Sequence, residues 1–280
     1  MRTVWYTILA LMAFAANSIL CRLALRGGTI DAATFCAIRI LAGALMLLLV
    51  TAGARKQSPR ATGSWITAGV LFLYVVPFSF AYLRLTAGTG ALILFGCVQL
   101  TMMSAALRGG ERPHALQWFG LCVALAGLIY LMLPGLSAPP WAGAALMALA
   151  GIAWGVYSLR SRASSSPLAQ TTSNFVRCVP LVLAVNLAAR AQFHAEPRGV
   201  LLAIASGAIA SGLGYVVWYA ALRGLTASRA AVVQLAVPIL AAAAGAVFLN
   251  EILTVRLHIA AAMVLGGIAA ALFGRKRVTR

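Results

Sequence analysis

Residues 85–111, LTAGTGALILFGCVQLTMMSAALRGGE, and residues 225–251, LTASRAAVVQLAVPILAAAAGAVFLNE, have equal length, open on the same Leu-Thr-Ala and close on glutamate. They lie 140 residues apart in a chain of 280, so the sequence slid by half its length aligns with itself here without a gap. Leu85-Thr86-Ala87 falls on Leu225-Thr226-Ala227, Ala91 on Ala231, Leu100 on Leu240, Glu111 on Glu251, Leu125 on Leu265 and Gly127 on Gly267. Toward the start, Ala13-Phe14 falls on Ala153-Trp154, Ser18 on Ser158 and Phe35 on Phe175. Alanine-rich segments match by chance, so the glutamates carry the comparison: the chain has 4 acidic residues, and two of them coincide.

The composition names the solvent. The chain is 62% hydrophobic and 9% charged, where an average soluble domain carries about 25% charge. That excludes a soluble globular fold, a disordered chain and a fibrous one, and leaves lipid. A helix needs about 20 apolar residues to cross a bilayer core, and ten runs fit: 4–25, 33–52, 65–83, 86–107, 115–134, 142–160, 168–189, 199–221, 230–249 and 257–274. Arg2, the apolar stretch from Val4 and Ala13-Phe14-Ala15 also imitate a cleavable signal peptide, but the repeat needs this helix. The expected fold is an all-α membrane protein of ten transmembrane helices in two halves, 1–136 and 137–280. Five crossings per half is odd, so the second half enters the membrane from the opposite side. Such inverted repeats are typical of alternating-access transporters, with the substrate near the mid-plane where the halves meet.

The charge is lopsided, with 22 Lys+Arg against 4 Asp+Glu for a formal +18. In a soluble protein that would point to nucleic acid. Sorted by alternate connections, however, fourteen basic residues fall on one side and six on the other, with Arg39 and Arg177 inside spans. The excess is therefore a topology signal that places both termini in the cytoplasm of a multi-pass protein of the cell inner membrane, with no nucleic-acid partner. The five cysteines show no CxxC pair and read as buried reduced thiols.

Leu107-Arg108-Gly109-Gly110-Glu111 with Gly120 and Gly127-Leu128-Ile129, and Phe248-Leu249-Asn250-Glu251 with Gly266-Gly267-Ile268, place a glutamate before the last helix of each half. Span two carries Ala37-Ile38-Arg39, and Pro238 precedes Glu251 by 13 residues. In these features the chain resembles the EamA-type transporters of the drug/metabolite transporter superfamily over essentially its whole length. The sequence departs from that pattern at Val98, the repeat partner of Pro238, and at Asn250, where Gly is usual. The resemblance implies an exporter of amino acids, other metabolites or toxic cations. The aromatic content looks like that of the aromatic amino-acid and paraquat exporters.

Polar side chains inside spans must find a partner in the bundle or face a wet cavity, so they locate candidate pathway residues. The candidates for substrate binding are Asn17, Tyr74, Ser79, Tyr82, Gln99, Trp154, Tyr157, Ser158, Tyr215, Trp218 and Gln234. Trp154, Tyr157 and Ser158 share one helix face, as do Tyr215, Trp218 and Tyr219, and two aromatic ridges suit an amphipathic ligand. Interfacial aromatic belts or helix packing explain the same spacing, and interhelical bonds explain Gln99 and Gln234. Gln234 precedes Pro238 by one turn, near a carbonyl the proline frees. Structural or gating roles fall to Arg39, Arg177, Glu111, Glu251 and Pro238. The arginines are expected to snorkel to the interface, with pairing to a substrate carboxylate as the alternative. The glutamates are expected to cap helix N-termini beside an arginine.

No Asp, Glu or His lies deep in a span, which predicts a facilitator or exchanger without a membrane-embedded proton carrier. Nothing calls for a cofactor, and no His/Cys/carboxylate cluster suggests a metal. Ser206 and Ser211 have no base at membrane depth, which argues against an intramembrane serine enzyme. The favoured reading is an exporter of small amphipathic metabolites, aromatic or other apolar amino acids first, in a lipid bilayer. A multidrug exporter of the same fold, a channel or a membrane enzyme stay open as alternatives, and the oligomeric state is undetermined.

Overall fold

The structure is a computed structural model that describes residues 2–53, 63–108, 115–133, 135, 138–162, 164, 166–225, 230 and 233–273. Among these the regular structure is helical, with a single two-residue β-bridge and no strand. The helices are α1 (Arg2–Arg26), α2 (Ala32–Gly53), α3 (Trp65–Ala81), α4 (Ala87–Arg108), α5 (Ala115–Met132), α6 (Trp141–Arg162), α7 (Pro167–Ala188), α8 (Pro197–Leu222), α9 (Ala236–Leu249) and α10 (Val255–Phe273). Seven of them are long and apolar enough to cross a membrane, while α3, α9 and α10 give shorter apolar helices. Large apolar side chains stand exposed along them, among them Trp5, Leu45, Leu49, Val247 and Phe248. Water would not tolerate that many, and this is a multi-pass membrane protein.

The helices occupy the expected apolar runs to within two residues; in the ninth, expected over 230–249, residues 230, 233 and 234 are helical and the continuous helix runs from Ala236. A turn at Leu235 interrupts the run, and Pro238 falls in the first turn of α9, where its missing N–H costs least. In α8 the middle segment Ala205–Leu213 widens into a π-helix, a rare form that recurs at functional sites. The cysteine expectation needs correction at two positions: Cys21, Cys36 and Cys178 are buried, but Cys97 is half-buried and Cys122 is exposed.

Packing pairs helices across the two halves. α5 lies on α10 and α2 on α7, while α3 packs on α6 and α8 on α1. The α5/α10 seam is made by glycine. The Gly120 and Gly267 backbones approach so closely that a Cβ on Gly267 would lie 2.6 Å from the Ala124 nitrogen, whereas a Cβ on neighbouring Gly266 would meet nothing within 4 Å.

One end of the bundle is tied by polar contacts between distant segments. Asp31 caps α2, accepting from the Thr34 N–H at 2.9 Å and from the His194 N–H at 3.1 Å, and the Glu196 N–H donates to the Thr29 carbonyl at 2.8 Å. Partial burial opposes the Asp31 charge, but these donors outweigh it and hold the carboxyl below its ordinary value.

Candidate functional site

Buried aromatic rings from both halves converge where α1, α3, α6, α7 and α8 meet. Trp154 is the hub: its ring centroid lies 4.9 Å from Tyr74, 5.3 Å from Tyr215, 5.6 Å from Tyr157 and 6.5 Å from Phe14. Phe14 reaches Trp218 at 5.6 Å, and Tyr215 contacts Phe175 at 5.8 Å. These distances are those of offset and edge-to-face pairs, each worth about 0.5–1.5 kcal/mol beyond burial. Tyr74, Trp154, Tyr157, Tyr215 and Trp218 are buried inside the bundle, so they are not an interfacial belt. Phe14 and Trp154 are the residues that coincide when the chain is slid by half its length, and here they touch.

Two polar networks border the rings. In the first, Ser206 Oγ donates to Asn17 Oδ1 at 2.7 Å and Asn17 Nδ2 donates to Ser211 Oγ at 3.1 Å, joining α1 to the π-helical part of α8. In the second, Tyr157 donates to Thr171 Oγ1 at 3.2 Å and accepts from Asn174 Nδ2 at 3.3 Å. Thr171 also bonds Tyr219 at 2.7 Å, and Thr67 donates to Asn174 Oδ1 at 2.8 Å. Thr67, Thr171, Asn174, Phe14 and Phe78 were not among the sequence candidates. The polar run Gln170-Thr171-Thr172-Ser173-Asn174 inside an apolar span was a legible signal for two of them.

Arg39 stands between the first network and the rings. It is 1% exposed, which corrects the expectation that it snorkels to the interface. Gly207 explains how it is enclosed: the α8 backbone presses directly on the backbone of Arg39, with no room for a side chain between them. Nε donates to Ser211 at 3.4 Å and Nη2 to Tyr74 at 3.3 Å, and the guanidinium lies 4.7 Å from the Phe78 ring centroid. Nη1 is buried with no hydrogen-bond partner among the described residues. A guanidinium stays charged in proteins. Burying it costs several kcal/mol, and a desolvated cation–π contact returns about 2 kcal/mol. Of the described carboxylates, Asp31 caps α2, Glu196 faces His194 and Glu251 pairs with Arg22, so none offsets this charge.

Arg177, expected to snorkel, stands on α7. It is half-buried, bonds Ser173 one turn back, and reaches Gly63 in the connection before α3. Glu251 caps a helix beside an arginine, but the helix is α4, far away in sequence, and not the α10 that follows it. Oε2 accepts from the Ala87 N–H at 2.8 Å and Oε1 from Arg22 Nε at 3.1 Å. Arg22 also donates to the Tyr82 carbonyl at 2.8 Å. Asn250, before it, is the left-handed C-cap of α9 at φ 50 and ψ 40, which explains why Asn can stand where Gly is usual. Glu111 lies outside the described residues.

The remaining candidates divide. Tyr82 is buried, packs against Phe78 at 4.9 Å and lies away from the Trp154 hub. The Ser79 hydroxyl donates to the Val75 carbonyl of its own helix at 3.0 Å, and Gln234 Nε2 donates to the Ala230 carbonyl at 3.2 Å, so both donors serve their own segments. Gln99 is buried in α4 and Ser158 half-buried in α6.

The sequence model of the EamA-like transporter family matches residues 141–273. The chain is 50% identical over 268 residues to the uncharacterized protein PA1977 of Pseudomonas aeruginosa, covering 96% of this chain and 93% of that one. A solved crystal structure of another protein superposes with a TM-score of 0.67 over 97% of this chain and 99% of its own, at 18% identity, a likeness of fold alone.

Proposed function

The chain belongs to the EamA-like transporter family, and from that premise we propose that it exports small amphipathic metabolites, aromatic or other apolar amino acids first, by alternating access. Members of this family are transporters rather than enzymes. In this reading ten helices cross the inner membrane as two inverted halves, 1–136 and 137–280, with both termini cytoplasmic. The pairing of α3 with α6 and of α8 with α1 supports it, because a half-chain repeat maps one pair on the other. The observation that carries the site is the aromatic cluster centred on Trp154, to which both halves contribute. Aromatic faces beside hydroxyls and an amide match a ligand with an apolar body and a polar head.

The carrier is read as a facilitator or exchanger. The three described carboxylates all sit at helix ends or in connections, leaving no deep proton site among them. Proteoliposome uptake of labelled phenylalanine tests the reading. It should saturate, accelerate with unlabelled phenylalanine on the opposite side, and persist with uncoupler and no pH gradient. Trp154→Ala and Tyr157→Phe should impair it at equal amounts of inserted protein, while Leu45→Ala on the exposed surface should not. Normal flux in both site variants would refute the site, and strict dependence on a pH gradient would refute the facilitator.

A further inference from the structure

We propose that Arg39 is the counter-charge that selects a carboxylate on the cargo, so that the transporter takes carboxylates and zwitterions and rejects cations. This rests on the exporter reading above and names its substrate class. Arg39 is sealed from solvent, its charge is permanent, and no described carboxylate pairs with it. Its two directed bonds are long and go to neutral hydroxyls, at 3.4 Å to Ser211 and 3.3 Å to Tyr74. Nη1 is a third donor with no partner among the described residues. The planar fork matches a carboxylate better than any other side chain does.

Its position couples the charge to the apolar site. Tyr74, which accepts from Nη2, is also the ring that packs at a tilt against Trp154 at 4.9 Å. A cargo whose ring displaced or joined that aromatic contact would bring a carboxylate within reach of the guanidinium. Ser211, which accepts from Nε, belongs to the network of Asn17 and Ser206, where an amide and hydroxyls can meet an ammonium group. The same buried positive charge works against a cationic cargo at close range, which separates this protein from exporters of toxic cations.

Three probes with one ring separate the charges: L-phenylalanine carries both groups, 3-phenylpropanoate only the carboxylate, and 2-phenylethylamine only the amine. Binding is read on the full-length protein in lipid nanodiscs by tryptophan fluorescence and by thermal stabilisation. Wild type should bind the two carboxylates at least about 30-fold more tightly than the amine, the scale on which losing one partner of a buried charge pair is felt. Arg39→Gln should remove that preference, and Arg39→Lys should restore part of it. Should Arg39→Gln not fold, the wild-type preference and its reduction in Arg39→Lys decide the matter. Equal binding of all three probes by wild type, or an equal loss for all three in Arg39→Lys, would overturn the assignment and leave the exporter reading standing. Wild type that binds none of the three overturns both.

Discussion

Glu251→Ala removes two bonds at once, and their sizes can be compared. The carboxylate is 5% exposed and Arg22 is 13% exposed, so the pair is largely desolvated. Deleting one partner of a buried pair costs about 3–5 kcal/mol when the other charge is stranded. Arg22 is not fully stranded, because it keeps the Tyr82 carbonyl at 2.8 Å and the Leu83 carbonyl at 3.3 Å. The lower half of that range therefore applies. The Ala87 N–H, at the start of α4, loses its acceptor as well, for about 1 kcal/mol. The sum is about 4–5 kcal/mol. Glu251→Gln keeps an amide oxygen that can serve one of the two donors, and should cost about half as much. Denaturant unfolding in mixed micelles, with Arg22→Ala and the double variant completing the cycle, should show a coupling of about 1–3 kcal/mol. An alanine variant within about 0.5 kcal/mol of wild type, or a coupling near zero, would show that the pair is no tie between the halves.

Gly267→Ala should lower stability by about 1–3 kcal/mol, since its methyl group would press on the α5 backbone, while Gly266→Ala should be neutral or stabilising by up to about 1 kcal/mol; thermal unfolding of the two variants side by side checks it. Tyr157→Phe should cost about 1–3 kcal/mol, because Asn174 and Thr171 lose a buried partner, and unfolding measurements should show stronger coupling to Asn174→Ala than to a distant control. Asp31→Asn should destabilise at neutral pH. A carboxyl held below its ordinary value contributes stability above that value and loses it as pH falls through the lowered one, so the two proteins should converge in acid when stability is followed against pH.

Helix existence was legible because lipid demands long apolar runs, and the observed ends fall within two residues of the expected ones for nearly all of them. In the ninth run, expected from 230 where a described residue is indeed helical, the turn at Leu235 went unseen, because the apolar run continues through it. Several of the candidate residues were visible as well: Tyr74, Tyr157 and Tyr215 meet Trp154, while Trp218 reaches it through Phe14. Arg39 was misjudged for a physical reason. Its depth along α2 permitted escape to the interface, but the side that closes over it is Gly207 of α8, a contact no local pattern encodes. Glu251 was read as a cap, yet the capped helix begins 164 residues earlier, which spacing along one segment cannot reveal.

That long-range cap bears on how the chain is made. The Ala87 N–H at the start of α4 has its acceptor on Glu251, in the second half, whereas Arg22 already finds the Tyr82 and Leu83 carbonyls within the first. Asp31 waits in the same way for His194. The Ala87 N–H and the second Asp31 oxygen are thus partnered only once residues of the second half are in place.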